Sequence, residues 1–201
     1  MGAAAGHYFE PDPAVPSRRR SVRLDLPDRS LTIQTDRGVF SADGVAAATK
    51  YLLLEAPAPP ATGTLVDLGC GYGPIACTMA ARSPDATVWA VDVNRRALTL
   101  CRANADALGL ANVEVFEPTA VPASPPVDLI WSNPPIRIGK PALHQLLDQW
   151  LGRLGPDGSA VLVVHQHLGA DSLHRRLETE GWTVRRIGAR AGNRLLEVRR
   201  G

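Results

Sequence analysis

Residues 65–74 read Leu65-Val66-Asp67-Leu68-Gly69-Cys70-Gly71-Tyr72-Gly73-Pro74. A short apolar run ends in an acid, a glycine-rich turn follows, and a small-residue helix begins at about Pro74. This is how an α/β unit opens a nucleotide-type pocket. Glycines let the backbone turn sharply and approach a ligand, because no Cβ intervenes. The first N–H groups of the following helix then face that ligand. Thr87-Val88-Trp89-Ala90-Val91 reads as a second buried strand ending in Asp92, and a helix is expected from Arg95 to about Gly109. A carboxylate at the tip of a second strand is placed to accept from both hydroxyls of a ribose.

Two ligand classes compete for such a unit. A dinucleotide site wants a third glycine near position 74, where this chain has Pro74. Asp67 immediately before the turn would repel a pyrophosphate but suits an ammonium or sulfonium group. The residues therefore favour S-adenosylmethionine over NAD. Asp-Leu-Gly-Cys-Gly-x-Gly also resembles the first motif of class I methyltransferases.

Size and composition set the outer bounds. At 201 residues, with 45% hydrophobic and 21% charged residues, the chain reads as one ordinary globular domain. No run approaches the roughly 18 apolar residues of a membrane span, and no signal-peptide pattern is visible at residue 1, so a cytoplasmic protein is expected. The net charge of +2 says little about partners. Locally, Arg18-Arg19-Arg20 and the arginines between 175 and 200 form patches that serve either as phosphate contacts or as a solvated basic face. Cys70, Cys77 and Cys101 lack metal-ligand spacing, and no metal is expected.

In chain order, residues 1–20 read as an irregular arm in which His7-Tyr8-Phe9 has the character of a docking element. Residues 21–62 form an extension. Ser21 to Leu26 and Leu31 to Thr35 alternate apolar and polar around the turn Pro27-Asp28-Arg29, which predicts a hairpin. An alanine-rich helix over about 44–55 follows, and Gly38 to Ser41, including Phe40, is placed to fold over a cofactor. Residues 63–201 form the core. Strands are expected near 64–68, 87–91, 112–116, 127–131, 159–165, 182–188 and 194–199, and helices near 74–82, 95–109, 141–154 and 170–180. Such alternation predicts a mostly parallel sheet covered on both faces. The last two strands have no helix between them and must pair as an antiparallel hairpin. The expected fold class is thus α/β, a single Rossmann-like domain with a seven-stranded mixed sheet.

A second motif ends the fourth core strand: Ser132-Asn133-Pro134-Pro135-Ile136. By topology it lies beside the glycine turn, at the crevice where the strand order reverses. An exocyclic amine on a base is a poor nucleophile because its lone pair is delocalised into the ring. The Asn133 oxygen and the Pro134 carbonyl can each accept one amine hydrogen, directing the lone pair at a methyl group. Prolines stiffen the loop and preorganise these acceptors. Asn-Pro-Pro resembles the fourth motif of methyltransferases acting on planar nitrogens. Asn-Pro-Pro-Ile-Arg with Gly139-Lys140 nearby resembles the small-domain methyltransferases related to ribosomal RNA guanine-N2 enzymes, over residues 7–199. That resemblance implies S-adenosylmethionine as cofactor, ribosomal RNA or a ribosomal subunit as partner, and guanine N2 as acceptor. It implies cofactor contacts from Phe40, Asp67, Leu68, Gly69, Cys70, Gly71, Asp92, Val93, Glu117 and Asn133. Asn133, Pro134, Pro135 and Ile136 would form the catalytic loop, and Arg137 and Lys140 would contact phosphates. Two departures stand out. Ala46, Ala47 and Ala48 occupy a helix where the family often has an Asp and a small hydroxyl or Gly, and Ile136 stands where many relatives have an aromatic residue.

Other residues divide between plain and functional readings. Glu117 is either an adenine contact or a loop acid. His165 and His167 lie near the crevice mouth and read as satisfied polar positions rather than metal ligands. Trp89 and Trp131 read as core. Asn104, unusual inside a helix, is either structural or reaches back to the glycine turn. Three other functions fit the same sequence: a methyltransferase of protein glutamine or a small molecule, a dinucleotide oxidoreductase, and a non-catalytic RNA-binding factor.

Overall fold

The protein is described here by a computed structural model covering residues 11–201; His7-Tyr8-Phe9 lies outside the described residues. A hairpin comes first: β1 (Arg20–Asp25) pairs antiparallel with β2 (Ser30–Thr35), with Val22 opposite Ile33 and Leu24 opposite Leu31. Its period-2 pattern buries Leu24, Leu31 and Ile33 on one side. Helix α1 (Ala47–Glu55) follows. It starts three residues later than expected, because Ala46 is extended at φ −54°, ψ 139°.

The core then alternates as β3 (Thr62–Leu68), α2 (Pro74–Arg82), β4 (Asp85–Val91), α3 (Arg95–Ala107), β5 (Val113–Phe116), β6 (Val127–Ser132), α4 (Lys140–Leu151), β7 (Leu154–His165), α5 (Ala170–Thr179), β8 (Trp182–Arg190) and β9 (Asn193–Arg200). The sheet order is β5-β4-β3-β6-β7-β9-β8. The pairs from β5 to β7 are parallel, and β9 runs antiparallel to both β7 and β8. The chain moves outward from β3 to β5 and then returns to β6 on the other side of β3. That reversal leaves a crevice at the C-terminal ends of β3 and β6.

Alternation along the strands sorts two apolar layers. Leu65, Val88, Ala90, Leu129, Trp131 and Val163 face the hairpin, α1, α2 and α3. Val66, Leu68, Trp89, Val91, Ile130 and Leu162 face α4 and α5. Each fully buried side chain contributes roughly 1.5–3 kcal/mol relative to exposure. Helix α3 stops at Ala107, two residues short of the expected end, where Gly109 turns left-handed (φ 68°) and Leu110 N–H closes on Ala105 C=O. Helix α4 ends at Leu151, and β7 begins at Leu154 rather than 159. Pro156 and Gly158 concealed this early start, and the register slips there between Val127 and Leu129. No helix among the described residues is long and apolar enough to cross a membrane.

Candidate active site

The glycine turn is held by bonds that its sequence makes possible. Gly69 and Cys70 donate to the Val91 carbonyl at 2.9 and 3.0 Å, tying the end of β3 to the end of β4. Gly73 has φ 92°, and a Cβ there would lie 2.7 Å from Cys101 Sγ. It thereby supplies the close helix packing that the usual third glycine provides one position later. Asn104 reaches back as one of its two readings anticipated. Its Nδ2 donates to Tyr72 O and Gln34 O at 2.8 Å, and its Oδ1 accepts from Gln34 N–H at 2.7 Å. One buried amide therefore staples the turn to β2. The three cysteines are free and buried, and burial pushes the Cys70 and Cys77 thiols up, so the reactive thiolate is disfavoured.

Asp67 is fully buried beneath the turn, not in a cavity wall. One oxygen accepts from Ala76 N–H at 2.8 Å, capping α2, and the other has no hydrogen-bond partner among the described residues. Burial pushes its pKa up to about 8, with Asp92 adding to the rise and the Ala76 N–H opposing it. Asp92, half-buried, accepts from Gly71 N–H at 2.8 Å and Asn94 N–H at 2.9 Å. Its two oxygens are thus aimed by backbone from both flanks, and each keeps a further acceptor site.

The two motifs meet. Ser132 Oγ donates to Leu68 O at 2.6 Å, and a Cβ on Gly69 would lie 3.7 Å from Pro135 Cδ. Pro135, at φ −74°, ψ 69°, makes an inverse γ-turn in which Ile136 N–H donates to the Pro134 carbonyl at 2.8 Å. The turn fixes that carbonyl and leaves it one lone pair. A cavity of about 570 Å³ opens over this junction. Phe40, Leu68, Gly69, Gly71, Asp92 and Val93 line one part, and Asn133, Pro134, Pro135, Ile136 and Arg137 continue the wall. Beyond them, Ile138, Leu146, Leu168 and Val163 make an apolar side faced by His165 and Asn193. Cys70 lines an adjoining pocket of about 20 Å³ together with Thr49, Tyr72 and Asn133. Besides Asp67 and Cys70, two further expected residues stand off the main wall. Glu117 pairs with Arg95 at 3.1 Å, leaving Pro118 on the cavity, and Lys140 is the exposed first residue of α4. His165 Nδ1 accepts from His167 N–H, and no group of three possible metal ligands occurs among the described residues.

The sequence profile of the methyltransferase small domain matches residues 30–195. The chain belongs to that family. Among small-domain relatives, an uncharacterized protein, YbxB, of Bacillus subtilis is 32% identical over 175 residues, covering 86% of this chain and 87% of that one. The ribosomal RNA large subunit methyltransferase G of Streptomyces coelicolor is 29% identical over 184 residues, which is 85% of this chain and 49% of that one. The ribosomal RNA small subunit methyltransferase C of Klebsiella pneumoniae is 36% identical over 110 residues, 55% of this chain and 32% of that one. The chain therefore spans half or less of these two ribosomal RNA enzymes. Among solved structures, the 16S rRNA N2 methyltransferase RsmC of T. thermophilus, in complex with AdoMet and guanosine, superposes with a TM-score of 0.79 at 22% identity. The match covers 94% of this chain and 52% of that one, and the shared feature is the fold.

The cofactor of this methyltransferase family is S-adenosylmethionine. The residues present fit it. The unpartnered Asp67 oxygen is the complement of a cationic group, the space above Gly71 is open to 4 Å, and Asp92 offers paired acceptors on the same cavity. Sequence reasoning missed Thr49, Asn94 and Asn193. Asn94 carried a signal, standing directly before α3, where it accepts from Ala97 N–H as the N-cap and donates to Gly38 O. Thr49 carried none, because its role depends on how α1 packs.

Proposed function

We propose that the chain is an S-adenosylmethionine-dependent methyltransferase acting on an exocyclic amino nitrogen, guanine N2 of ribosomal RNA. The observation that carries this reading is the convergence of Asn133 with Gly69, Gly71 and Asp92 on one cavity, locked by the Ser132-to-Leu68 bond. When bound, the cofactor supplies an electrophilic methyl group on a sulfonium. Gly69 and Gly71 would let it approach the backbone, Asp92 would accept from its ribose hydroxyls, and Phe40 and Val93 would flank it. Asp67 balances its positive charge from below the turn.

Asn133 Oδ1 and the Pro134 carbonyl each accept one hydrogen of the acceptor amine. So held, the amine nitrogen would face its lone pair toward the methyl group that the cofactor would supply, with the sulfur leaving with the electron pair. The nitrogen then gives its extra proton to water. No strong base is needed before attack, so alignment and acceptor placement carry the rate. Ile136 and the apolar wall from Ile138 to Leu168 pack the flat ring.

The basic rim is smaller than the sequence count implied. Arg176 pairs with Asp148 and Glu180, Arg185 and Arg199 with Glu197, and Arg200 donates to Leu154 O. Arg137 lines the cavity, and exposed Arg190, at the β8–β9 turn opposite Asn193, has no side-chain hydrogen bond or ion pair among the described residues. These two are the proposed phosphate contacts at the mouth, with Lys140 beside them.

The test is transfer of labelled methyl from S-adenosylmethionine to separated ribosomal subunits and to free ribosomal RNA, followed by nucleoside analysis. The expected product is N2-methylguanosine. Asn133→Ala keeps cofactor binding and loses about a hundredfold in turnover, as removal of one preorganised polar contact does elsewhere. Unchanged turnover in that variant removes Asn133 from the reaction.

A further inference from the structure

Asn133 has a carboxamide with two unlike edges, and only one suits an amine. Its Nδ2 donates to Thr49 Oγ1 at 3.0 Å. The amide is planar, so this bond turns Oδ1 the other way. Oδ1 has no donor among the described residues, and Asn133 is a wall residue of the cavity. A hydroxyl can also donate, so the reversed amide would keep a bond to Thr49 but would present N–H groups to an amine that is itself a donor. Thr49 therefore fixes the amide plane, and the amine selects the end that accepts.

Thr49 is suited to this by its place in α1. A threonine inside a helix ordinarily returns its hydroxyl to the carbonyl four residues back. Three others in this chain do so: Thr78 to Pro74 O at 2.7 Å, Thr99 to Arg95 O at 2.9 Å and Thr179 to Arg175 O at 2.9 Å. Thr49 makes no such bond. Helix α1 begins only at Ala47, and the extended backbone at Ala46 takes the Val45 carbonyl out of the helical position. The hydroxyl therefore stays available to Asn133. It is also shielded from water, since Thr49 is 4% exposed and lines only the smaller pocket.

We infer that Thr49 is a positioning residue for methyl transfer, holding the Asn133 carboxamide in the plane from which its oxygen can meet the acceptor nitrogen. This rests on the reading of Asn133 given above. Thr49 touches neither cofactor nor substrate in this role. Removing the hydroxyl takes away the protein acceptor of that Asn133 N–H. The amide then loses its preferred orientation rather than its presence.

The experiment compares the full-length wild-type chain with Thr49→Ser and Thr49→Val. The acceptors are 30S and 50S subunits from a strain deleted for this gene, and the donor is labelled S-adenosylmethionine. Thr49→Val preserves shape and should lower kcat about tenfold, the scale of one lost hydrogen bond. Its KM for S-adenosylmethionine and its calorimetric affinity should stay within twofold of wild type. Thr49→Ser, which keeps the oxygen, should retain most of kcat. Wild-type kcat in Thr49→Val overturns the inference, as does an equal loss in both variants or a parallel loss of cofactor affinity. A wild-type chain that transfers no methyl to either subunit overturns the proposed reaction and this role together, which sets that failure apart from the others.

Discussion

Asp67 offers a test of how the site is tuned, because its two neutral-pH states differ in what they do to the fold and to the ligand. The perturbation is Asp67→Asn, which keeps an oxygen for the Ala76 N–H and removes only the ability to ionise. In the folded chain without ligand, burial pushes the Asp67 pKa up to about 8, while the unfolded value is the ordinary 3.8. The folded state therefore holds its proton over the interval in which the unfolded state has released it. Stability is unaffected by this group below pH 3.8, falls as pH rises through the interval, and levels off above pH 8. At roughly 1.4 kcal/mol per pH unit, the wild-type chain should lose about 4 kcal/mol between pH 4 and pH 7 from this residue. The variant should lack that part of the slope. Urea unfolding of both proteins at half-unit steps from pH 4.5 to 8 measures it. The ligand arm has the opposite sign. A cationic cofactor favours the ionised carboxylate, so binding should release a proton at pH 7, and wild-type affinity should rise with pH up to about 8. Calorimetry in two buffers of different ionisation enthalpy detects that proton. Parallel stability profiles for the two proteins, together with no proton release, would refute the assignment of a buried, protonated Asp67.

Two further outcomes follow from bonds described above. Asp92→Asn replaces a charged acceptor of two backbone N–H groups, and S-adenosylmethionine affinity by calorimetry should fall about ten- to a hundredfold, since hydrogen bonds to charged groups contribute roughly 1.5–3 kcal/mol; unaltered affinity would take Asp92 out of the cofactor site. Asn104→Leu breaks three bonds to Gln34 and Tyr72, and unfolding free energy should drop on the order of 3 kcal/mol, read as an earlier denaturation midpoint with an unchanged urea slope.

The parts of the site legible in the sequence were those whose chemistry is local. The glycine turn, the acid at the end of β4 and Asn-Pro-Pro each combine backbone conformation and side-chain type within a few residues. The parallel order and the closing hairpin followed from helix-length segments between strands and from their absence between β8 and β9. What stayed hidden depends on distant packing. Glu117 was a candidate by position, and Arg95 at the start of α3 holds its carboxylate. The terminal arginines looked like one basic surface, yet Glu197 alone takes two of them, Arg185 and Arg199. Thr49 looked like one more residue of an alanine-rich helix, and nothing local reveals that its hydroxyl lies 3.0 Å from an amide 84 residues away.

The residues before β3 take part in the site, and the bonds that place them explain how. Phe40 is 40% exposed and lines the cavity. Its segment is fastened at its base: Asn94 Nδ2 donates to Gly38 O at 2.8 Å, and Arg96 Nη1 donates to Arg37 O and Val15 O, both at 2.8 Å. Gly38 in turn lies so close to Pro13 that a Cβ would come within 2.6 Å of it. Asn94 and Arg96 follow Asp92 by two and four residues. The same short stretch that holds Asp92 therefore anchors the segment bearing Phe40, and α1, which continues from that segment, brings Thr49 to Asn133. Residues 37–49 are thus tied by hydrogen bonds to the segment after β4 at one end and to the loop after β6 at the other.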